Sequence, residues 1–459
     1  MRKAGPVSIA NAYALIALVF GLFFIVATPP FGTGDEPAHF ERSYEIATGG
    51  FLGAEGVPAG MQAFIDDAFA KVKSGEAVRD GDFRRWRNIK LAPNEIEPYP
   101  EPLRKVLRLH SPLCYAHFAP VMAAGLALGL SPFALFYALR LVALLVGVAL
   151  VWFSIRRVPP TLRPIMAYAA LLPTAVVYFA AVNIESLLVG LGFLYFALVV
   201  AHAANADRKL APRDIIVLAA LALLLGQFKT GYLLLPLFAL ILPASKFSGS
   251  RTRFAALAVI CLPGMVASLA WALIVKDAML GDIVYSTMNG NRVEPSAQLA
   301  GVLADPVGYA ATVLRTLFAS NAPDFAWRTF LGVAGWTNIP VAAPVYAALT
   351  AGLFLVWMSG APAPGVLTTR PAIAIQLLVF AATGFAVLTL VYFQWNGVGD
   401  PVIEGFQGRY LFAATPLLFA SAPIRLSMLA DRRRRSVLAF AVALIGLVAM
   451  AIAVVDRYQ

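Results

Sequence analysis

The stretch IANAYALIALVFGLFFIVATPPFGTGDEPAHFER occupies residues 9–42 and decides the fold class. Its first part, Ile9–Ala27, is apolar apart from Asn11 and long enough to cross the ~30 Å hydrocarbon core of a membrane as a helix. The run is too long for a signal peptide, and Thr28-Pro29-Pro30 is a poor cleavage site. The stretch therefore predicts a first spanning helix with a cytoplasmic N-terminus, followed at once by a polar segment.

The composition of the whole chain predicts a membrane protein with many spans. Of the 459 residues, 60% are hydrophobic and 13% are charged, and the mean hydropathy is +0.76. The apolar runs are continuous rather than alternating, which favours helices over a β-barrel. The net charge of +11 comes from basic residues in short loops, as the positive-inside rule expects, and argues against nucleic-acid binding. Cys114 and Cys261 lie far apart, so no disulfide framework or cysteine metal site is expected.

The hydrophobic runs predict an all-α polytopic protein with about eleven transmembrane helices. The basic loops between them fall on one side of the membrane, which sets the direction of each helix. Successive spans must cross in alternate directions, and a complete span at residues 111–130 would put the basic loop after residue 155 on the wrong side. Residues 111–130, which Pro112 and Pro120 interrupt, are therefore predicted to form a re-entrant or juxtamembrane helix rather than a complete span. The predicted spans are residues 9–27, 133–155, 164–181, 184–203, 214–228, 231–245, 254–275, 340–358, 372–395, 409–426 and 436–455.

This pattern divides the chain into transmembrane parts and two long loops. Most of the unusual polar residues fall in the loops, or in turns on the same, non-cytoplasmic side. Any chemistry is therefore predicted on that side. The predicted parts are a first transmembrane helix (1–28), a periplasmic loop with surface and juxtamembrane helices (29–130), a transmembrane bundle (131–275), a second periplasmic loop (276–339) and C-terminal transmembrane helices (340–459).

The first candidate for chemistry is the pair Asp35-Glu36, just after the first helix. Glycines and prolines flank the pair and fix the turn at the boundary between membrane and water. Two adjacent carboxylates there could accept a proton or hold a metal ion. Alternatively, one of them simply caps the surface helix that follows. His39, His110 and His117 also fall on this side, but their spacing matches no zinc motif.

Other polar residues lie at the ends of apolar runs on the same side. Polar groups at membrane depth are costly, so they are candidates for function when they cannot reach the interface. Asn183 and Glu185 could line a cavity or form a solvated hairpin, and Lys229 could hold a phosphate or reach the headgroups. The remaining candidates could bind an anion or make ordinary structural and interfacial contacts: Arg140, Gln407, Arg409 and Tyr410.

With these motifs the sequence resembles the bacterial membrane proteins of domain-of-unknown-function family 2142. The resemblance covers nearly the whole chain and includes one departure, because the family pattern favours Asn-x-Asp-Ser where this chain has Glu185. The family is in turn similar to the membrane glycosyltransferases of the GT-C type, which use polyprenyl-phosphate sugars. The matching motifs are Asp35-Glu36-Pro37-Ala38-His39-Phe40, residues 183–186, Lys229 with Tyr232, residues 331–340 with Trp336, and Gly408-Arg409-Tyr410.

The resemblance implies an inverting transfer of a sugar from a polyprenyl-phosphate carrier to an envelope glycan or lipid, at the periplasmic face of the bacterial inner membrane. Asp35 would act as general base, with Glu36 orienting it, exchanging roles with it or helping it to bind Mg²⁺ or Mn²⁺. Stabilisation of the departing phosphate would fall to Arg409, and further to Lys229 and Arg140. The other residues predicted to bind substrate are His39, Arg42, Asn183, Glu185, Trp336, Gln407 and Tyr410.

Two other functions stay open on the sequence alone. A transporter or flippase for a lipid-linked glycan would use the same charged cavity without bond chemistry, and would spread polar residues through both halves of the membrane. A non-catalytic subunit of an envelope polysaccharide system would tolerate the substitution of Asp35. In each case membrane lipid is expected as a partner and nucleic acid is not.

Overall fold

The structure is a computed structural model that describes residues 8–53, 56–99, 107–205, 208–281, 283–286, 292–358, 365–419 and 431–459. Helices dominate it. Within the described residues, six helices are long and apolar enough to cross a membrane: α1 (Ile9–Ala27), α2 (Pro132–Arg157), α3 (Glu185–Ala204), α4 (Ser250–Ile274), α5 (Arg370–Trp395) and α6 (Arg433–Tyr458). A seventh span is possible if Pro295–Ala304 and Pro306–Phe318, bent by 108°, count as one.

The prediction of about eleven spans is not confirmed, because several apolar runs form helices that are short or broken. Pro173 divides residues 164–181 into two helices, Arg163–Ala170 and Pro173–Phe179. Pro236 lies inside a 3₁₀ helix, Thr230–Ile241, where residues 231–245 were expected to span. Of residues 409–426, the described part holds only short turns. The other described helices in the predicted spans are Pro212–Gly226, Ala343–Met358, Gly408–Leu411 and Pro416–Phe419, and the second and the last of these end where the described residues end.

The segments between the spans carry their own small elements. Two of the strand pairs are antiparallel hairpins or ribbons in the predicted loops: Gly56–Pro58 pairs with Ile96–Pro98, and Val333–Ala334 with Ile339–Pro340. A third pair joins Ile283–Ser286 to Arg292–Val293. The accompanying helices are Glu36–Ala47, Ala59–Ser74, Asp80–Arg87, Pro112–Tyr115, Ala119–Ala127, Ala244–Lys246, Lys276–Leu280, Ala322–Leu331 and Gly365–Leu367.

Helix α3 is the most enclosed of the spans and organises the bundle. Within its most apolar stretch 72% of the residues are buried, against 50% in α2 and 33% in α1. Gly192 of α3 packs against the backbone of Ala413, where an added Cβ would overlap a carbonyl oxygen. This close approach brings residues 408–419 against α3, so the start of α3 and Arg409 lie at the same end of the bundle.

Several basic residues of the short loops lie together at one end of the bundle. At one end, Arg435 donates to the carbonyl of Thr161, and Lys246 donates to that of Arg208. The other end holds the C-terminus of α1 and the N-terminus of α3, and we call it the site end. Helix α2 runs between the two ends, since Arg140 contacts the C-terminus of α1 while Arg156 and Arg157 close α2.

Candidate functional site

The loop between α1 and the next helix, residues 28–36, has a strained backbone, and we call it the acid loop. Phe31 and Asp35 adopt positive φ angles of 63° and 68°, which side-chain-bearing residues rarely do. Contacts from distant parts of the chain hold this conformation. Gly34 N donates to Gly335 O at 3.1 Å, Trp336 Nε1 to Phe31 O at 3.0 Å, and Tyr458 Oη to Gly32 O at 2.8 Å.

Beneath the acid loop, Glu36 and Arg140 form a sealed ion pair. Both side chains are buried, and Arg140 Nη2 lies 2.7 Å from Glu36 Oε2. Glu36 also accepts the backbone N–H groups of Thr33 and Val182. Every N–H of the guanidinium is used, three of the bonds going to the carbonyls of Ile25, Thr28 and Pro29 at the end of α1. The pair fixes the acid loop on α1 and α2, and no face of either group is open to a substrate.

Asp35, by contrast, turns away from Glu36 and keeps 53% of its side-chain surface open. Its Oδ2 accepts from Arg409 Nη2 at 3.0 Å. Burial among protein groups raises the pKa of Asp35, but the charge of Arg409, its hydrogen bond and the charge of Lys229 outweigh this and hold the pKa below the usual range. Asp35 is therefore an ionised carboxylate that is accessible at the surface of the site.

Arg409 is almost completely buried and contacts several partners at once. Its guanidinium lies 4.2 Å from the ring centroid of Tyr178, and its Nη1 is 3.4 Å from Glu185 Oε1. Among the residues that the structure describes, neither Nε nor Nη1 has a hydrogen-bond partner, although both are buried. Buried donors are usually satisfied in folded proteins. Nη1 has only the ion-pair contact with Glu185 and Nε has no hydrogen bond, so this buried arginine can still donate to a further acceptor, such as a ligand oxygen.

Lys229 supplies a second cation next to Arg409. Its Nζ lies 3.6 Å from the centroid of the Tyr410 ring, and Arg409 approaches the same ring at 5.3 Å. Within the described part of the chain no carboxylate lies within ion-pair distance of Lys229. Tyr232, three residues on, donates its hydroxyl to Tyr410 O at 2.8 Å and so ties the two cationic segments together.

Histidines border the same place. His39 Nδ1 and the Tyr115 hydroxyl share a hydrogen bond of 2.7 Å, and the His110 ring lies 5.4 Å from that of His39. Burial lowers the pKa of His39 to about 4, despite the nearby charge of Asp35. Burial likewise lowers the pKa of His110 to about 3. Both imidazoles are therefore uncharged at neutral pH and add no positive charge to the site.

The structure thus brings together a set of side chains that we call the polar cluster. Around it, further buried polar atoms lack a partner among the described residues, including Oε2 of Glu185, Oε1 of Gln407 and Nε2 of Gln227. Such a concentration indicates a site that holds water or a ligand. The members of the polar cluster are Asp35, His39, Glu185, Lys229, Arg409 and Tyr410.

The other predicted residues surround the cluster or lie under it. Asn183 is buried, donates to Tyr178 O and accepts the N–H groups of Glu185 and Ser186, so it positions the start of α3. Trp336 is 38% exposed beside the acid loop and packs on Phe69 at 5.0 Å. Arg42 is sealed in bonds to Glu45 and to three backbone carbonyls. Arg42, Arg140 and Glu36 therefore have no exposed surface in this structure with which to contact a substrate.

Sequence reasoning did not include Tyr178 and Tyr115. Tyr178 closes one face of Arg409, and Tyr115 orients His39. Both lie within apolar or interrupted stretches, where a tyrosine is ordinarily a core or interface residue. Only its position five residues before Asn183, which bonds to its carbonyl, distinguishes Tyr178, and that spacing carries no recognised chemistry.

A metal site at Asp35 and Glu36 does not fit this geometry. In the described part of the chain, no group of three or more His, Cys, Asp or Glu side chains is arranged to hold a metal ion. The carboxylates of Asp35 and Glu36 are bound by different arginines, Arg409 and Arg140. They therefore do not form a shared ligand pair for Mg²⁺ or Mn²⁺, which prefer several oxygen donors.

The fold and the cluster define a polytopic helical membrane protein with a charged site at one end of its bundle. The chain belongs to the family described as "Predicted membrane protein (DUF2142)", whose sequence profile matches residues 18–418. The match spans the acid loop, Lys229 and Arg409, so the whole polar cluster lies within the family region. Neither a curated protein nor a solved structure matches the chain.

Proposed function

We propose that the protein is a membrane glycosyltransferase that moves a sugar from a polyprenyl-phosphate carrier to a glycan or lipid acceptor of the bacterial envelope. One observation carries this proposal. An open carboxylate, Asp35, lies beside two cations, Arg409 and Lys229, at the end of an apolar bundle. This arrangement suits a substrate with an anionic phosphate, a sugar and a chain that lies in lipid.

The proposed chemistry is a single displacement. The acceptor hydroxyl oxygen attacks the anomeric carbon, and the bond between that carbon and the phosphate oxygen breaks with its electron pair. The hydroxyl proton passes to the Asp35 carboxylate, which acts as general base. Arg409 and Lys229 stabilise the negative charge that grows on the departing polyprenyl phosphate. Glu36 and Arg140 take positioning roles, since they hold the acid loop without facing the site.

The acceptor would bind where the acid loop meets the short hairpin of residues 333–340. Trp336 offers an exposed aromatic face there, and its indole N–H is fixed by Phe31 O. Sugar rings pack their apolar C–H faces on such aromatic surfaces. The positive-inside rule puts the basic end of the bundle in the cytoplasm, and so the site at the periplasmic face of the inner membrane.

The test compares envelope glycans and lipid-linked sugars by mass spectrometry in cells that carry the wild type or Asp35→Asn. We expect Asp35→Asn to lose one defined sugar and to accumulate its polyprenyl-phosphate donor. Asp324→Asn is the matched control, because Asp324 is an aspartate 63% exposed in a surface ion pair with Arg328, and it should behave as wild type. Loss of a whole glycan without donor build-up would instead indicate a flippase, and unchanged pools would contradict both enzyme and flippase.

A further inference from the structure

The polar cluster contains a conflict between its two proposed tasks. Asp35, the proposed base, is bound to Arg409, the proposed phosphate ligand, by the 3.0 Å bond at Nη2. A carboxylate that is paired with a guanidinium is a weaker base, because the neighbouring positive charge stabilises its ionised form. The cluster without ligand is therefore in a state in which the base is restrained.

The geometry around Arg409 shows what releases this restraint. The guanidinium has two more donors, Nε and Nη1, that are buried and have no hydrogen-bond partner among the described residues. Nε and Nη1 do not form a fork with each other, because each is adjacent to Nη2. A pair of phosphate oxygens that binds two adjacent N–H groups must therefore use Nη2, the nitrogen that donates to Asp35. Lys229 lies against the Tyr410 ring next to the same fork and adds a second positive charge. A phosphate that binds here competes with Asp35 for the charge of Arg409.

Asp35 is placed to yield in that competition. Its side chain is 53% exposed, whereas Arg409 is sealed at 4% side-chain exposure. Its backbone lies in the left-handed region and is held from below by the Glu36–Arg140 pair, so the backbone stays while the side chain rotates. The partner that can move is thus the carboxylate and not the guanidinium.

We propose that the Asp35–Arg409 ion pair is a latch, and that a phosphate ester which binds Arg409 and Lys229 displaces the Asp35 carboxylate and frees it to act on the acceptor. The latch rests on the proposed function for its purpose, because it makes the base available only after the phosphate-bearing donor has bound. Donor therefore binds before acceptor. An acceptor hydroxyl, or water in its place, meets a restrained base when no donor is present.

The latch has a thermodynamic signature that needs no sugar transfer. A bound phosphate removes the favourable contact with Arg409 and adds a negative charge, and both changes raise the pKa of Asp35. Phosphate binding is then coupled to proton uptake, so affinity rises as the pH falls through the raised pKa and levels off below the ligand-free pKa, which lies under the usual range. The other charged or titratable groups that face Asp35 are His39, Lys229 and Glu185, with His110 and Tyr178 behind them.

The experiment measures the binding of farnesyl phosphate and of inorganic phosphate to the purified full-length protein in an uncharged detergent. The pH is varied from about 3.5, near the ordinary pKa of an aspartate, to about 7. Wild type is compared with Asp35→Asn. Asparagine tolerates the left-handed backbone at this position, so the variant keeps the acid loop. The ratio of the two affinities removes the titration of the phosphate itself, which both proteins share.

We expect Asp35→Asn to bind phosphate about tenfold more tightly than wild type at pH 7, the factor equivalent to one unit of pKa. The difference should shrink as the pH falls, because protonation of Asp35 opens the latch in the wild type. Farnesyl phosphate binding more tightly than inorganic phosphate would identify a lipid-borne phosphate, and equal affinities a free phosphate. Farnesol measures the contribution of the chain alone.

Weaker or unchanged binding by Asp35→Asn at pH 7 would overturn the latch, and so would an affinity ratio that does not depend on pH. Arg409→Lys keeps the charge and removes the fork, so it should lose phosphate affinity in both backgrounds. These outcomes are separate from the proposed function. A protein with the latch but without sugar transfer would show the phosphate results and fail the glycan test, and a transferase without the latch would do the reverse.

Discussion

Asp35 and Glu36 are neighbours in the chain but end in opposite environments. The positive φ at Asp35 rotates its side chain out of the loop, while Glu36 points down to Arg140. The sequence predicts an acidic pair at this position, because charge and flanking glycines are visible in it. It does not predict which carboxylate stays open, since that depends on contacts from residues 182, 335 and 458, far along the chain.

The sealed pair makes a prediction at the scale of a single residue. Glu36→Gln leaves Arg140 buried with its charge uncompensated, so we expect the free energy of unfolding to fall by about 3 kcal/mol or more. The measurement is the unfolding midpoint in detergent. Asp324→Asn breaks an exposed pair of the same charge type, which should cost about 1 kcal/mol or less. Equal midpoints for the two variants would contradict a structural role for Glu36.

At the scale of elements, the sequence predicts about eleven spans, and the described residues support six, or seven with the bent pair. Six of them are continuous helices, whereas residues 164–181 and 231–245 are interrupted at Pro173 and within a 3₁₀ helix that contains Pro236. Hydropathy over a window reports apolar content and does not sense a broken hydrogen-bond ladder. These broken helices lie beside the site, where their ends release polar groups such as Tyr178 O to bond with Asn183.

The short 3₁₀ helix Gly408–Leu411 gives a prediction for an element. A Cβ at position 408 would overlap the carbonyl oxygen of Ala326, so Gly408→Ala must push this segment away from the helix Ala322–Leu331. Arg409 moves with it, and a misplacement of a functional group by ~1 Å can lower the rate of an enzyme on the order of a hundredfold. We expect at least a tenfold loss of farnesyl phosphate affinity on this scale.

The control for this variant is a glycine with room for a methyl group. At Gly384 in α5 an added Cβ would meet only the flexible end of Leu411, at 3.4 Å. Gly384→Ala should therefore leave phosphate affinity and the unfolding midpoint near those of the wild type. A Gly408→Ala protein that unfolds normally and binds phosphate as well as Gly384→Ala would show that the packing of Gly408 does not position Arg409.

At the scale of the whole molecule, the two ends of the bundle differ, and the side of the membrane on which each end lies stays a prediction. The basic loops were assigned to one side by the positive-inside rule, and the bundle gathers them at the end opposite the polar cluster. The cluster itself draws on four distant segments, at residues 35–39, 185, 229 and 409–410. Motifs could mark each segment as unusual, but only the fold shows that they meet and that Arg42 and Arg140 do not join them.

This polarity predicts opposite sides of the membrane for two surface positions. Gly81 lies in open space on the helix Asp80–Arg87 near the site end, and the side chain of Arg213 is 80% exposed at the basic end. The native thiols, Cys114 and Cys261, are buried and serve as an internal background. In intact spheroplasts a membrane-impermeant maleimide should label Gly81→Cys and not Arg213→Cys, while both should react after lysis. Labelling of Arg213→Cys alone would mean that the protein has the opposite orientation in the membrane. The polar cluster would then face the cytoplasm, where nucleotide-linked sugars are available as donors. The reason for proposing a polyprenyl-phosphate substrate would be lost.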